Sequence, residues 1–504
     1  MPTIRRDSSH WLYLGLLSLL ALAPLPKGSV PTWAWPLLVV ALCLLAVVWT
    51  MQWLRGRYEF TPAFWQARRA LLALGLWCAW IGLQLVPLPA AWVQQLSPGA
   101  YEIHALAATA LDFPLPATLT LSVDPHATLD FLMKSIAWCA AFALTLVLVN
   151  RRRRVELLLT TLVICGTLQA LYGSVMMLSG LEYGFLLKKI HNLGVATGYF
   201  VNRNHLAGYL NICLALGIGL MIARLGGEAT HSWRQRLRSL ARLLLGEKAR
   251  LRIYLIVMVI GLVLTRSRMG NTAFFASTLI IGALGLLLMR NLPRSTMLFL
   301  ASLVVLDLVI VGTWFGVDQV AKRIQATEVS TNIENVMPTE DRDEVDRAAL
   351  PYMQDFWLTG SGGGSFYVVF PRYHTEKLAG FYDFAHNDYV QIVAETGVVG
   401  LLLCGTVVLG ALWQALLAMR KRHDPLMRGT AFGVAMAICW LLIHSAVDFN
   451  AQMPANSLMI SVVLALAWVA SSLHHEPAQT TRRSQAPGHP KAAPAQGQPS
   501  SVRP

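Results

Sequence analysis

Long apolar runs alternate with short polar connections along most of this chain. A helix needs about 20 apolar residues to cross the hydrocarbon of a bilayer. The pattern predicts twelve such spans, at 11–26, 33–53, 70–88, 127–149, 155–178, 204–223, 253–267, 269–289, 296–315, 388–417, 429–447 and 456–473. Backbone in lipid must satisfy its own hydrogen bonds, and runs of this length do so as helices. The expected fold class is all-α: a polytopic membrane protein of about twelve helices, with one large external loop at 316–387. Arg5 and Arg6 precede the first span, as in a signal peptide. However, Pro24, Pro26 and Lys27 follow without a small-x-small cleavage site, so a retained helix is expected.

The connections carry patterns of their own. In 90–112, Trp92, Leu96, Ile103, Leu106 and Leu111 fall at helical spacing, as in a helix lying in the outer interface. Residues 232–245 form a basic amphipathic segment, an interfacial anchor. In the large loop, 340–356 places Val345, Ala348, Ala349, Tyr352 and Phe356 on one helical side. Then comes Leu358-Thr-Gly360-Ser-Gly362-Gly363-Gly364-Ser-Phe366, a turn that glycines make easily. From 474 the chain is rich in Pro, Ala, Gln, Ser and Arg and is expected to be disordered. The organisation is therefore an N-terminal transmembrane region (1–195), a region carrying the motifs and the loop (196–473), and a tail (474–504). No internal repeat and no matching pair of broken helices is visible, which weighs against a transporter of lipid-linked saccharide.

Charge changes the picture next. The net charge of +14 invites a nucleic-acid reading, but the basic residues cluster on alternate connections: Arg55 to Arg69, Arg151 to Arg154, Arg224 to Arg252, and Arg420 to Arg428. That is the positive-inside pattern, with both termini cytoplasmic and an attraction to anionic membrane lipids rather than nucleic acid. The opposite connections are poor in Lys and Arg, and 89–126 has neither. Basic residues that do lie there, including Lys188, Lys189, Arg203, Arg266, Arg268, Arg342, Arg347 and Arg372, are candidate anion ligands. The seven cysteines all fall inside predicted spans, so neither a disulfide framework nor a metal cluster is expected.

Five short motifs lie on the outer side. They are Val201-Asn202-Arg203-Asn204-His205-Leu206-Ala207-Gly208; Thr265-Arg266-Ser267-Arg268-Met269-Gly270; Arg342 and Arg347 followed by the glycine turn; His386-Asn387-Asp388-Tyr389-Val390-Gln391 running on through Glu395 and Gly397 to Gly400; and His444-Ser445-Ala446-Val447-Asp448-Phe449-Asn450 on to Asn456. His386 stands where a polar loop enters an apolar helix, which puts a titratable group at a membrane surface.

Together these motifs resemble the O-antigen ligase and polymerase superfamily of bacterial envelope enzymes, most clearly from Arg342 to Gly400 and more loosely over 195–460. The resemblance implies a GT-C-like glycosyltransferase of the inner membrane, with a periplasmic active site. Its donor would be a glycan on undecaprenyl pyrophosphate, and its acceptor a lipid A–core or a growing polysaccharide; it would need no metal or cofactor. It implies that His386 is the general base, that Arg203 and Arg268 hold the pyrophosphate, and that Arg342 opens the loop helix. This chain departs from the family in having Asp346 where Trp is common and Trp357 where Pro precedes the turn.

The residues agree with that chemistry. Guanidinium groups grip phosphate oxygens bidentately and stay charged. An acceptor hydroxyl is a poor nucleophile until a base removes its proton, and histidine suits that task near neutrality. Plainer roles stand beside these. Arg203, Arg266 and Arg268 could snorkel to lipid headgroups, and Arg347 could pair with Asp343 or Glu344. Glu395 inside a span calls for a buried partner. His205, His444, Asp448 and Asn450 fit packing and hydrogen-bonding roles. Ligase and polymerase use the same donor chemistry and are not separated by sequence.

Overall fold

The computed structural model describes residues 9–185, 187–225, 246–289, 297–298, 301–302, 339–376, 378 and 381–473. The basic segment 232–245, nearly all of the ninth predicted span, residues 316–338 and the tail from 474 lie outside them. Eleven of the twelve predicted spans coincide with helices: α1 (His10–Leu22), α2 (Ala34–Leu54), α4 (Arg68–Gln84), α7 (Pro125–Leu148), α8 (Arg152–Leu178), α9 (Arg203–Leu225), α10 (Glu247–Leu264), α11 (Arg268–Leu288), α14 (Asp388–Lys421), α15 (Pro425–His444) and α16 (Pro454–Ser472). Eight of these are long and apolar enough to cross a membrane, while α1, α4 and α10 are shorter or more charged. The protein is an all-α polytopic membrane protein. The remaining helices are short or belong to the connections: α3 (Pro62–Gln66), α5 (Ala90–Leu96), α6 (Pro98–Ala110), α12 (Thr339–Asp355) and α13 (Phe366–Val369).

Helix α9 is the axis of the bundle, with nearly all of its apolar window buried, whereas α2 is mostly exposed to the surroundings. Lipid supplies no hydrophobic force between helices, so close backbone packing must hold them together. Small residues permit it here. A Cβ on Gly219 would lie 2.2 Å from the Gly429 carbonyl, and one on Gly433 would lie 2.6 Å from that of Ala215. At one end of the bundle Arg152 pairs with Asp424, and Arg224 with Glu156 at 2.9 Å. There the buried Arg154 donates to Leu148 O (2.7 Å) and Ser9 Oγ (3.0 Å). The chain segments carrying Arg152, Arg154, Arg224 and Asp424 therefore gather at one end.

At the other end the connections fold into a cap with its own core. Val345, Ala348, Ala349 and Tyr352 of α12, with Phe356 just after it, are buried, as the spacing predicts, against Val93, Ala100, Phe366 and Phe370. Tyr352 Oη meets Ser361 Oγ at 2.5 Å, and Ser361 meets Ser365 at 2.6 Å. Burial pushes the Tyr352 hydroxyl far above its ordinary range, so it stays neutral. The segment 90–112 differs from expectation. Ser97-Pro98 breaks it into α5 and α6, and Val93 and Ala100 turn inward against the cap. Trp92, Leu96, Leu106 and Leu111 are left exposed. The connection 179–202 carries a small hairpin, Tyr183–Gly184 with Leu187–Lys188.

The glycine turn and α14 form one unit. Helix α14 kinks at Gly397 (φ 68°), where a straight span is expected. A Cβ there would lie 2.1 Å from Leu358 O, and one on Gly360 (φ 70°) would lie 2.2 Å from Glu395 backbone. Glycine is needed at both places, because the turn lies backbone to backbone on the kink. Ser361 N–H donates to Ala394 O (3.0 Å), Gly362 N–H to Glu395 O (3.0 Å), and Val398 N–H to Trp357 O (2.8 Å).

Candidate active site

His386 sits at the junction where the cap enters α14. Its φ of 55° is uncommon for a residue with a side chain, and such conformations concentrate at functional sites. The next residues anchor the helix. Asn387 Oδ1 caps it, accepting from Tyr389 N–H (3.1 Å) and Val390 N–H (3.3 Å). Buried Asp388 accepts from Ser445 Oγ (2.9 Å) and Ala451 N–H (3.3 Å), and its own N–H donates to Ser445 O (2.8 Å). The start of α14 is thereby tied to the turn between α15 and α16.

That turn supplies the centre of the site, Phe449. His386 meets its ring edge-on, with centroids 4.7 Å apart and planes at 80°. His205, two residues into α9, does the same from another helix at 4.9 Å and 77°. Phe384 stacks on it at 4.5 Å. His205 Nε2 lies 3.9 Å from Asp448 Oδ1, and His386 and His444 both interact electrostatically with His205. Two histidines from two motifs thus meet one aromatic ring, and His444 stacks on Trp440 nearby. His386 is half-buried, while His205 and His444 are buried.

His444 and Asn450 take structural places. The Asn450 amide donates to His444 Nδ1 (3.0 Å), and its oxygen accepts from Asn456 (2.8 Å). Asn456 also donates to His205 O (3.1 Å). A Cβ on Gly208 would lie 2.2 Å from Asn450 Oδ1, so this close approach requires the glycine. Glu395 lies among partners inside the bundle: Phe366 N–H (3.2 Å) and Gln391 Nε2 (2.5 Å) both donate to it. Gln391 Oε1 in turn accepts from Ala385 N–H (2.7 Å), next to His386.

The arginines divide. Arg203 opens α9 and is half-buried; Arg268 opens α11, capped by Ser267, and is exposed. Arg266 is exposed with φ 50°. The two helix starts touch. Asn211 donates to Ala207 O (2.8 Å) and Gly270 O (3.1 Å), and a Cβ on Gly270 would lie 2.7 Å from that of Ala207. Arg266 and Arg268 make no hydrogen bond or ion pair among the described residues. Guanidinium groups at helix N-termini add to the positive end of the helix dipole and suit an anion. Arg347 instead is exposed and 3.9 Å from Glu344. Arg342 lies on α12, but its side chain lies outside the described residues. Lys189 is paired with Glu182, and Arg372 with Glu102 at 2.5 Å.

Two contributors escape sequence reasoning. Gln84 of α4 donates to Thr359 O (2.7 Å) and Glu395 O (3.0 Å) and accepts from Gly363 N–H (3.2 Å). It clamps the glycine turn to the kink, and the only sequence signal is a polar residue inside an apolar span. Asp346, at the position of the family departure, accepts from Asn387 Nδ2 at 3.4 Å, linking α12 to the residue beside His386.

No curated protein matches the chain. Residues 253–405 match the family model described as O-antigen ligase. The stretch contains Arg266, Arg268, Arg342, Arg347, His386 and Glu395; Arg203, His205, His444 and Asp448 lie outside it and reach the site through the fold. Residues 253–405 of this membrane protein are thus similar to the O-antigen ligase family, which points to an enzyme of glycosyl transfer.

Proposed function

We propose that the protein transfers a glycan from undecaprenyl pyrophosphate to an acceptor hydroxyl at the periplasmic face of a bacterial inner membrane. His386 removes the hydroxyl proton as the oxygen attacks the anomeric carbon. The bond from that carbon to the pyrophosphate oxygen breaks, and the electron pair leaves with the pyrophosphate. Arg203 and Arg268, with Arg266 beside them, hold the departing charge, which is the main electrostatic demand of the step. A single displacement of this kind inverts the anomeric centre. The observation that carries the reading is the convergence on Phe449. His386 and the helix that Arg203 opens meet at one ring, which supports a base and an anion ligand on adjoining elements.

Within this reading, ligation to a lipid A–core is the preferred activity and repeat-unit polymerisation the alternative. The family region is described as O-antigen ligase, which favours the first. The test is transfer in proteoliposomes with a purified lipid-linked donor and, separately, lipid A–core or a second donor molecule as acceptor. Product on lipid A–core supports ligation. Product only between donor molecules supports polymerisation. No glycan transfer to either acceptor refutes the reading.

A further inference from the structure

A cavity of about 550 Å³ opens between α4, α7, α14 and α16. Glu395 and Phe384 of the site above reach it; the arginines and His386 do not line it. Its lining follows α7 from Ala127 to Phe142, a rise of about 22 Å at helical pitch. Tyr367, Asp383, Phe384 and Gln452 stand at the cap end, and Phe142, Val407 and Leu464 at the far end. A long cavity, polar and aromatic at one end and apolar at the other, fits an amphiphile with a single chain inside. Left empty, its walls would forgo the dispersion contacts that hold helices together in lipid.

Charge decides which amphiphile. The charged lining groups are Asp130, Asp383 and Glu395 against Lys134, three carboxylates to one ammonium and a formal balance of −2. Lys134 lies 4.5 Å over the Trp35 ring. Asp130 and Lys134 attract each other electrostatically, but neither holds a hydrogen bond or close ion pair among the described residues. A polyprenyl pyrophosphate head would be repelled here. Sugar hydroxyls would donate to the carboxylates, and a pyranose face would stack on the aromatic rings. Phe384 lines the cavity and also stacks on Phe449, the ring that His386 meets edge-on.

We propose that this cavity seats the acceptor, a saccharide on a lipid anchor without a pyrophosphate link, with its sugar held by Asp130 at the cap end beside the His386 loop. This rests on the glycosyl-transfer reading and adds where the acceptor enters, on a face that the arginines do not share.

The probe is an alkyl maltoside carrying a diazirine on its chain, photolysed with the full-length protein in nanodiscs. Peptide mapping should place the label on 127–142 and 392–407. Dodecyl maltoside should displace it and farnesyl pyrophosphate should not. Asp130→Asn, a near-isosteric change, should weaken labelling about tenfold, the loss of a hydrogen bond to a charged group. Ser461→Trp, which fills the cavity, should abolish it, and Arg203→Ala should leave it in place. Label scattered over outward faces and indifferent to Asp130→Asn would overturn the proposal, as would equal displacement by farnesyl pyrophosphate. If labelling holds while His386→Gln still transfers glycan, the cavity stands and the base assignment alone falls.

Discussion

His386, at the entry to α14, and Phe449, between α15 and α16, meet edge to face at 4.7 Å. One ring orients the histidine, supports His205 and backs Phe384. Aromatic packing therefore helps to set where the imidazole stands. Phe449→Leu keeps apolar volume and loses the flat edge-on surface. Misplacing a reacting group by about 1 Å costs about 10²-fold in rate. Phe449→Leu is expected to lower kcat on that scale while the protein accumulates normally in membranes. Unchanged kcat would remove Phe449 from the account.

Asp388 staples the start of α14 to the next turn through Ser445 Oγ and Ala451 N–H. Asp388→Ala leaves buried donors unsatisfied, at about 1–3 kcal/mol, and is expected to lower Tm. Combined with Ser445→Ala, the losses should fall short of the sum, since the two share one bond. Strict additivity in thermal unfolding in detergent would count against the staple.

The glycine turn offers a sharper contrast. Gly360→Ala and Gly397→Ala each place a Cβ within 2.2 Å of backbone at positive φ, a conformation that alone costs about 1–2 kcal/mol. Both variants should be lost from membranes or unfold early. Gly405→Ala, on the same helix with nothing within 4 Å, should behave as wild type. Equal behaviour of Gly397→Ala and Gly405→Ala would contradict the packing of the turn on the kink.

The arginines should separate by function. Arg203→Ala and Arg268→Ala are expected to lose most transfer, with Lys restoring only part because it lacks the bidentate fork. Among the described residues Arg347 holds a single surface pair with Glu344, worth about 0–1 kcal/mol. Arg347→Ala should therefore leave Tm unchanged, and any loss of turnover would report a contact with substrate. Full activity of Arg203→Ala and Arg268→Ala in proteoliposomes would leave only lipid-headgroup roles for them.

Much of this architecture is legible in the chain because lipid enforces simple rules. Apolar runs of span length had to become helices, and the helical face of Val345, Ala348, Tyr352 and Phe356 had to find a core. His386, Arg203 and Arg268 announce themselves as polar groups at the ends of apolar elements. What the chain hides are relations between distant residues. Gln84 meets Thr359 and Glu395 across more than 270 positions, and nothing local predicts the partner. The kink at Gly397 lies against the Gly360 turn, a contact that no local pattern shows. The exposed side of α5 and α6 follows from the break at Pro98, which rotates the two halves of one apparent stripe. The cavity has no signature at all, because it is the space that four helix crossings leave open.

The central claim is that His386 takes the acceptor's proton, and the most direct test is transfer by His386→Gln. Glutamine keeps hydrogen-bonding capacity and size but cannot accept the proton, and a general base contributes about 10²- to 10⁴-fold. With purified lipid-linked donor and acceptor in proteoliposomes, the variant should insert, unfold at the wild-type temperature and bind donor, yet transfer glycan at least about 10²-fold more slowly. Transfer at the wild-type rate by well-folded His386→Gln protein would contradict the account and leave His386 as a residue that only shapes the entry to α14.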